Sequence, residues 1–354
     1  MYFWTAALYI RVLLRGNNCT RRGNNFKFSF GRVIIENSIL AEVFLDWSII
    51  VGPLLFLIYV NDLAEASKIF FFILFADDTN LFLSHADYDS LIRLTNQELE
   101  KVITWFETNK LSVNIKKTYY LIFCSKNKSY NKKNANIFLK NLPLSQECQA
   151  TFLGVLIDDR LTWKPHIAML LNKISKTIGI IGKIRHLLSQ RTFITIYNSL
   201  IYPYLMYCNI VWGNAYKTSL HPLLILQKKF LRIATCSSFY THSSPLFEKL
   251  RILNIYDVNR FQLALFTAQH INHTLPDTFD SFLNFRSQFH NYQTRQSTNL
   301  HIPLFRTSLA QMSVKYMCVK IWNDLPPSLK NITSSLLTFK RNLKIHLLIH
   351  PSPL

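Results

Sequence analysis

Acidic residues are scarce in this chain, and their scarcity is organised. Lys and Arg total 40 against 20 Asp and Glu, a net charge of +20. From Arg160 to Phe247, 88 residues carry eleven bases and no acid. From Ser281 to Leu354 the one acid is Asp324, and between Glu107 and Glu147 eight lysines meet none. A merely soluble basic surface would intersperse the two signs. One-sign stretches instead build a continuous positive field, which suits a polyanion, with counterion release supplying much of the affinity. Residues 1–45 hold no aspartate at all.

Other absences narrow the class further. The six cysteines, at 19, 124, 148, 208, 236 and 318, form no CxxC pair and no Cys/His run at zinc spacing, which fits reduced thiols in an intracellular protein. The opening MYFWTAALYIRVLLRG lacks a basic leading segment and a small-residue cleavage site, so secretion is not expected. Without it, Asn-X-Ser/Thr sites such as Asn331-Ile332-Thr333 carry no meaning. The apolar run Ile49 to Val60 is twelve residues long and contains Gly-Pro, short of the ~20 needed to span a bilayer. Asp62, Asp77 and Asp78 argue against a membrane protein built on residues 49–83. No basic amphipathic anchor stands out, and stable membrane association is not expected. A nuclear or cytoplasmic protein is. The eleven histidines, His166 among them, show no constellation. With 354 residues, 49% hydrophobic and 14% aromatic, the chain can fill cores in two or three lobes.

The most informative stretch is IFFFILFADDTNLFL. Two apolar arms flank Asp77-Asp78-Thr79-Asn80, which reads as strand, tight turn, strand over Phe70 to Leu83. A hairpin buried on both arms has no structural use for two adjacent carboxylates at its tip. The like charges repel and desolvation disfavours both; a divalent cation removes both problems. The plain alternative is a turn in which Asp and Asn are simply common.

Around this hairpin, further motifs follow in order. Gly52-Pro53-Leu54-Leu55-Phe56-Leu57-Ile58-Tyr59-Val60-Asn61-Asp62-Leu63 precedes it. Trp105-Phe106, Asn109-Lys110-Leu111-Ser112-Val113-Asn114, Lys117-Thr118 and Phe152-Leu153-Gly154-Val155 follow. Leu161-Thr162-Trp163-Lys164, Ser199-Leu200-Ile201-Tyr202-Pro203-Tyr204-Leu205, Trp212-Gly213-Asn214, Leu226-Gln227-Lys228-Lys229 and Ile321-Trp322-Asn323-Asp324-Leu325-Pro326 continue the series. Together, over residues 50–345, they resemble the reverse transcriptase of non-LTR (LINE-type, jockey-like) retrotransposons.

The resemblance implies an RNA-directed DNA polymerase that extends a DNA primer on an RNA template with dNTPs. Asp77 and Asp78 would hold Mg²⁺, with Mn²⁺ as a substitute, in two-metal nucleotidyl transfer. Lys117 would assist the pyrophosphate leaving group; one more surface lysine beside Lys116 is the alternative. Phe152 and Gly154 match the primer-grip strand, where glycine permits close backbone approach, although a plain strand kink would look the same. Lys164, Lys173, Lys176, Lys183, Lys228 and Lys229 are the candidate nucleic-acid contacts.

The expected fold is α+β: a polymerase palm, antiparallel sheet with helices on one face, followed by an all-α thumb and a helical C-terminal region. Expected segments are 1–48, a degenerate fingers/palm remnant; 49–160, the palm; 161–240, the thumb; and 241–354, basic and helical. Within them Pro53 to Leu63 predicts a buried helix and Tyr88 to Phe106 an amphipathic one, with Glu98 off its apolar face. Ile167, Leu170, Leu171, Ile174, Ile178 and Ile181 form a helical stripe. Phe26 to Ile35 alternates as strands do, 125–135 and 286–300 read as loops, and patterning weakens after residue 240.

Two features depart from the family pattern. The carboxylate that the palm takes from an earlier strand has no counterpart in residues 1–45, and Asp46 abuts Gly52-Pro53 too closely to be it. The substrate loop that precedes Gly52-Pro53 reads Leu45-Asp46-Trp47-Ser48-Ile49-Ile50, without its Pro, Gln and Gly. A truncated, partly decayed copy of a mobile element, or a fragmentary gene model, with impaired polymerisation is therefore expected. The rival expectation is a non-catalytic nucleic-acid-binding remnant that keeps the basic thumb and tail.

Overall fold

The computed structural model describes residues 6–13, 51–76, 78–124, 136–288, 299–331 and 335–352. The chain divides into two compact units, Met1–Leu161 and Thr162–Leu354.

In the first unit, β1 (Ala6–Leu13) precedes a helix over residues 51–60, α1, and a 3-10 turn at Asn61–Ala66. The hairpin follows as β2 (Phe71–Phe75) and β3 (Asp78–His85), then α2 (Tyr88–Thr108) and β4 (Tyr119–Cys124). Short strands complete the unit: β5 (Phe138–Leu139), β6 (Leu142–Pro143), β7 (Ser145–Gln146), β8 (Gln149–Phe152) and β9 (Val155–Asp158). The main sheet has the order β2-β3-β1-β4-β7. It is mixed rather than antiparallel, because β4 and β7 run parallel while every other pair is antiparallel.

Strand alternation sorts the sheet into two faces. Ile10, Leu81, Tyr120 and Ile122 join Leu91, Leu99, Val102 and Phe106 of α2 in one core. Tyr9 and Leu121 face the other way, with Phe82 and Tyr119, and are covered by Ala150 and Phe152 of the β8–β9 hairpin. Asp87 caps α2, its carboxylate accepting from the Ser90 N–H. Glu98 is a correction to the sequence reading. It is buried on the packed side of α2, where Ser67 Oγ donates to it at 2.5 Å and Lys101 Nζ lies at 2.6 Å.

Two burial expectations also fail. β2 is the sheet edge, and Phe71 and Phe75 are 66% and 59% exposed, so one arm of the hairpin is not buried. α1 forms where a helix was expected, but Leu54, Leu55, Leu57 and Ile58 are exposed. A run without polar interruption looks buried in sequence because nothing marks an outer face. The strands expected over Phe26 to Ile35 and the loop at 125–135 lie outside the described residues.

The second unit is helical. α3 (Lys164–Ile184) buries Ile167, Leu170, Ile174, Ile178 and Ile181, as its stripe requires, and packs on α7 (Lys217–Ala234). Between them run α4 (Gln190–Ile196), a π-helical turn at Tyr197–Ile201, α5 (Tyr202–Met206) and α6 (Asn209–Trp212). α8 (Ser244–Lys249) and α9 (Ile255–Ile271) follow, then α10 (Ser308–Gln311), α11 (Val314–Asp324), α12 (Pro327–Lys330) and α13 (Leu336–Ile349). Two cores result. Ile255, at the start of α9, closes the first, and Val258, Phe261, Leu263, Ala264 and Ala268 of the same helix join α11 and α13 in the second.

Candidate catalytic hairpin and nucleic-acid interface

Phe75 pairs with Asp78 across the hairpin, leaving a two-residue connection of Ala76 and Asp77. Asp77 lies outside the described residues, as does Asp46. Asp78 is described, and its surroundings come from β1. In the β1–β3 register Arg11 stands opposite Asn80 and Leu13 opposite Asp78, so Arg11 and Asp78 are diagonal neighbours on one face. Arg11 Nη2 donates to both carboxylate oxygens of Asp78, at 2.7 and 2.9 Å. Its Nη1 donates to the Thr151 carbonyl at 3.1 Å and reaches the Tyr119 hydroxyl at 3.5 Å. Burial works against the Arg11 charge, yet the bonds to Tyr119 and Asp78 hold its pKa above the ordinary arginine value. Beside it, the Tyr9 hydroxyl donates to Asn80 Oδ1 at 2.8 Å, and Asn80 Nδ2 donates to the Ile73 carbonyl. Burial, with Tyr119 adding, raises the Tyr9 pKa and keeps the phenol protonated.

β1 therefore lies beside β3 of the hairpin and presents a base to Asp78. Among the described residues, no three His, Cys, Asp or Glu side chains are grouped to hold a metal ion. Both oxygens of the one described hairpin carboxylate are taken by a guanidinium. The described residues do not fit a pair of divalent cations.

The other expected residues fall in separate places. Lys116 and Lys117 are exposed on a 3-10 turn, Ile115–Lys117, just before β4. This turn lies against β1, just before Tyr119, which pairs with Arg11. Phe152 packs edge-on to Tyr9 and Phe82, with ring centroids 6.3 and 6.2 Å away. Leu153 and Gly154 form the two-residue turn joining β8 to β9, with φ of 45° and 80°. Gly154 thus serves a turn that needs positive φ, which a strand kink would not.

In the second unit Lys164, Lys173, Lys176 and Lys183 are exposed along α3, and Lys229 is exposed on α7 beside the half-buried Lys228. Lys173 Nζ sits 5.3 Å from the Tyr204 ring centroid. This unit carries 22 Lys and Arg against 5 acids, net +17, and the first 18 against 15, net +3.

Sequence reasoning missed several residues that organise these sites. Arg11 is one; a lone base inside AALYIRVL signals a partner across the sheet, but register is needed to name it. Gln227 is another. Its Nε2 donates to the Tyr197 hydroxyl and the Leu253 carbonyl, while its Oε1 accepts from the Ile255 N–H at the start of α9. Gly213 is a third: a Cβ there would stand 2.5 Å from the Asn209 carbonyl oxygen and 2.6 Å from Asn259 Nδ2.

No family model matches the chain. Curated relatives do. It is 26% identical over 235 residues to the probable RNA-directed DNA polymerase from transposon BS of Drosophila melanogaster, covering 62% of this chain and 25% of that protein. It is 23% identical over 245 residues to the corresponding protein of the X-element, 66% and 26% of the two chains. The polymerase from the mobile element jockey matches at 22% over 219 residues. The chain is a homologue of non-LTR retrotransposon RNA-directed DNA polymerases. It spans about a quarter of the length of these polymerases. Among its described residues, no helix is long and apolar enough to cross a membrane.

Proposed function

We propose that this chain is a nucleic-acid-binding portion of a non-LTR retrotransposon reverse transcriptase, with its affinity for RNA template and DNA primer centred on the second unit. The observation that carries the reading is the distribution of charge: 17 of the 20 net positive charges fall on residues 162–354, with exposed lysines along α3 and on α7. In this reading the first unit is the palm and the helices through residue 240 are the thumb. In the intact family, two Mg²⁺ at the hairpin supply nucleotidyl transfer. Because Asp78 is engaged by Arg11, this chain alone binds template and primer without running that chemistry.

The test is binding of an RNA–DNA hybrid by fluorescence anisotropy as salt rises from about 50 to 200 mM. If several phosphates are neutralised, affinity falls with a log–log slope of several units. Charge reversal at Lys173, Lys176, Lys183 and Lys229 together should weaken binding and flatten that slope. Asp77→Asn with Asp78→Asn should leave affinity unchanged or slightly tighter. A response insensitive to salt overturns the assignment.

A further inference from the structure

Nucleic-acid binding leaves one question open at the hairpin: what neutralises the Asp78 carboxylate. We infer that Arg11 is the resident cation at Asp78, and that its guanidinium excludes divalent metal from that carboxylate.

The geometry carries the inference. Arg11 reaches Asp78 along a same-face diagonal, and one nitrogen spans both oxygens at 2.7 and 2.9 Å. Such charge-assisted contacts are the stronger class of hydrogen bond, and a guanidinium keeps its charge at any physiological pH. The base is also anchored from behind. Thr151, in β8, accepts from Nη1, and Tyr119, on β4, lies at the edge of hydrogen-bonding distance, so the group is held by three neighbouring strands. Both partners are about one-fifth exposed, too sheltered for water to screen the pair fully. A divalent ion arriving at Asp78 would meet a fixed positive charge within a few ångströms and would have to dislodge it. Mg²⁺ adds its own obstacle, since it sheds water reluctantly and demands near-octahedral placement. The pair is set by strand register, because a base at position 11 of β1 meets position 78 of β3 in this pairing.

Metal binding by the full chain, without nucleic acid, tests this independently of the preceding section. Mn²⁺ is the probe, read by paramagnetic broadening of backbone amides and by electron paramagnetic resonance titration. In the wild-type protein, stoichiometric Mn²⁺ is expected to leave the Asp78, Thr79 and Asn80 amides sharp. Arg11→Gln is expected to bind Mn²⁺ at least tenfold tighter, with broadening at Asp78 that disappears in Arg11→Gln with Asp78→Asn. Arg11→Lys, which keeps the charge, should behave as wild type. Broadening at Asp78 in the wild type, or equal Mn²⁺ affinity of wild type and a folded Arg11→Gln, overturns the inference. If Arg11→Gln does not fold, the wild-type spectrum alone decides.

Discussion

His166 shows what one residue's surroundings do to its chemistry. It lies in the first turn of α3, 2% exposed, with its ring centroid 5.5 Å from that of Trp212. Burial, aided by Lys173, pushes its pKa down to about 4. The unfolded chain, with an ordinary imidazole near 6.5, takes up a proton at mildly acid pH while the folded chain does not. Stability from this group is therefore complete above about pH 6.5 and declines as pH falls toward 4. The loss should reach about 2 kcal/mol by pH 5. Urea unfolding at pH 7.5 and pH 5 checks this: His166→Gln should lose clearly less stability between the two than wild type. Equal losses would assign the acid sensitivity elsewhere. At the same scale, Gly213 and Gln227 belong to motifs that carry the family resemblance, yet both are accounted for by packing and hydrogen bonding.

Among the elements, the β8–β9 hairpin carries a conflict in its turn. Both connecting residues have positive φ, which Gly154 adopts freely and Leu153 does not. Asn is the residue such a turn favours at its first position. Leu153→Asn should stabilise the protein by about 0.5–1 kcal/mol, seen as a higher thermal midpoint. Destabilisation would show that the Leu153 side chain contributes more than its backbone costs. How legible each element was in sequence follows from its surroundings. α2 and α3 each have one wet face, so their apolar stripes gave them away, and the hairpin was bracketed by its own turn residues. α9 was not legible. Val258, Phe261, Leu263, Ala264, Thr267 and Ala268 bury several sides of it, so no stripe survives. β1 was passed over because eight strand residues beside an unpatterned stretch carry little signal. Its consequence for Asp78 lies in a cross-strand register linking residues 67 apart in sequence.

Across the whole molecule, charge and helix packing divide along different lines. Basic charge separates the units, near neutrality at +3 against +17, whereas the packing of the second unit runs on past residue 240. Leu246, Phe247, Leu250, Ile252 and Ile255 all close the core built by α3 and α7. Leu253 and, from Val258 onward, the rest of α9 belong to the next core. α9 is thus a party wall, and two rooms that share one wall fall together. Residues 162–354 should melt in a single cooperative transition by calorimetry, with calorimetric and van't Hoff enthalpies in agreement. A fragment ending at residue 240 should remain largely unstructured by far-UV circular dichroism, and a folded fragment would refute the idea. The same wall limits where the second unit can be shortened: a break before α9 takes Ile255 from the first core and, with it, the helix on which the second core is built.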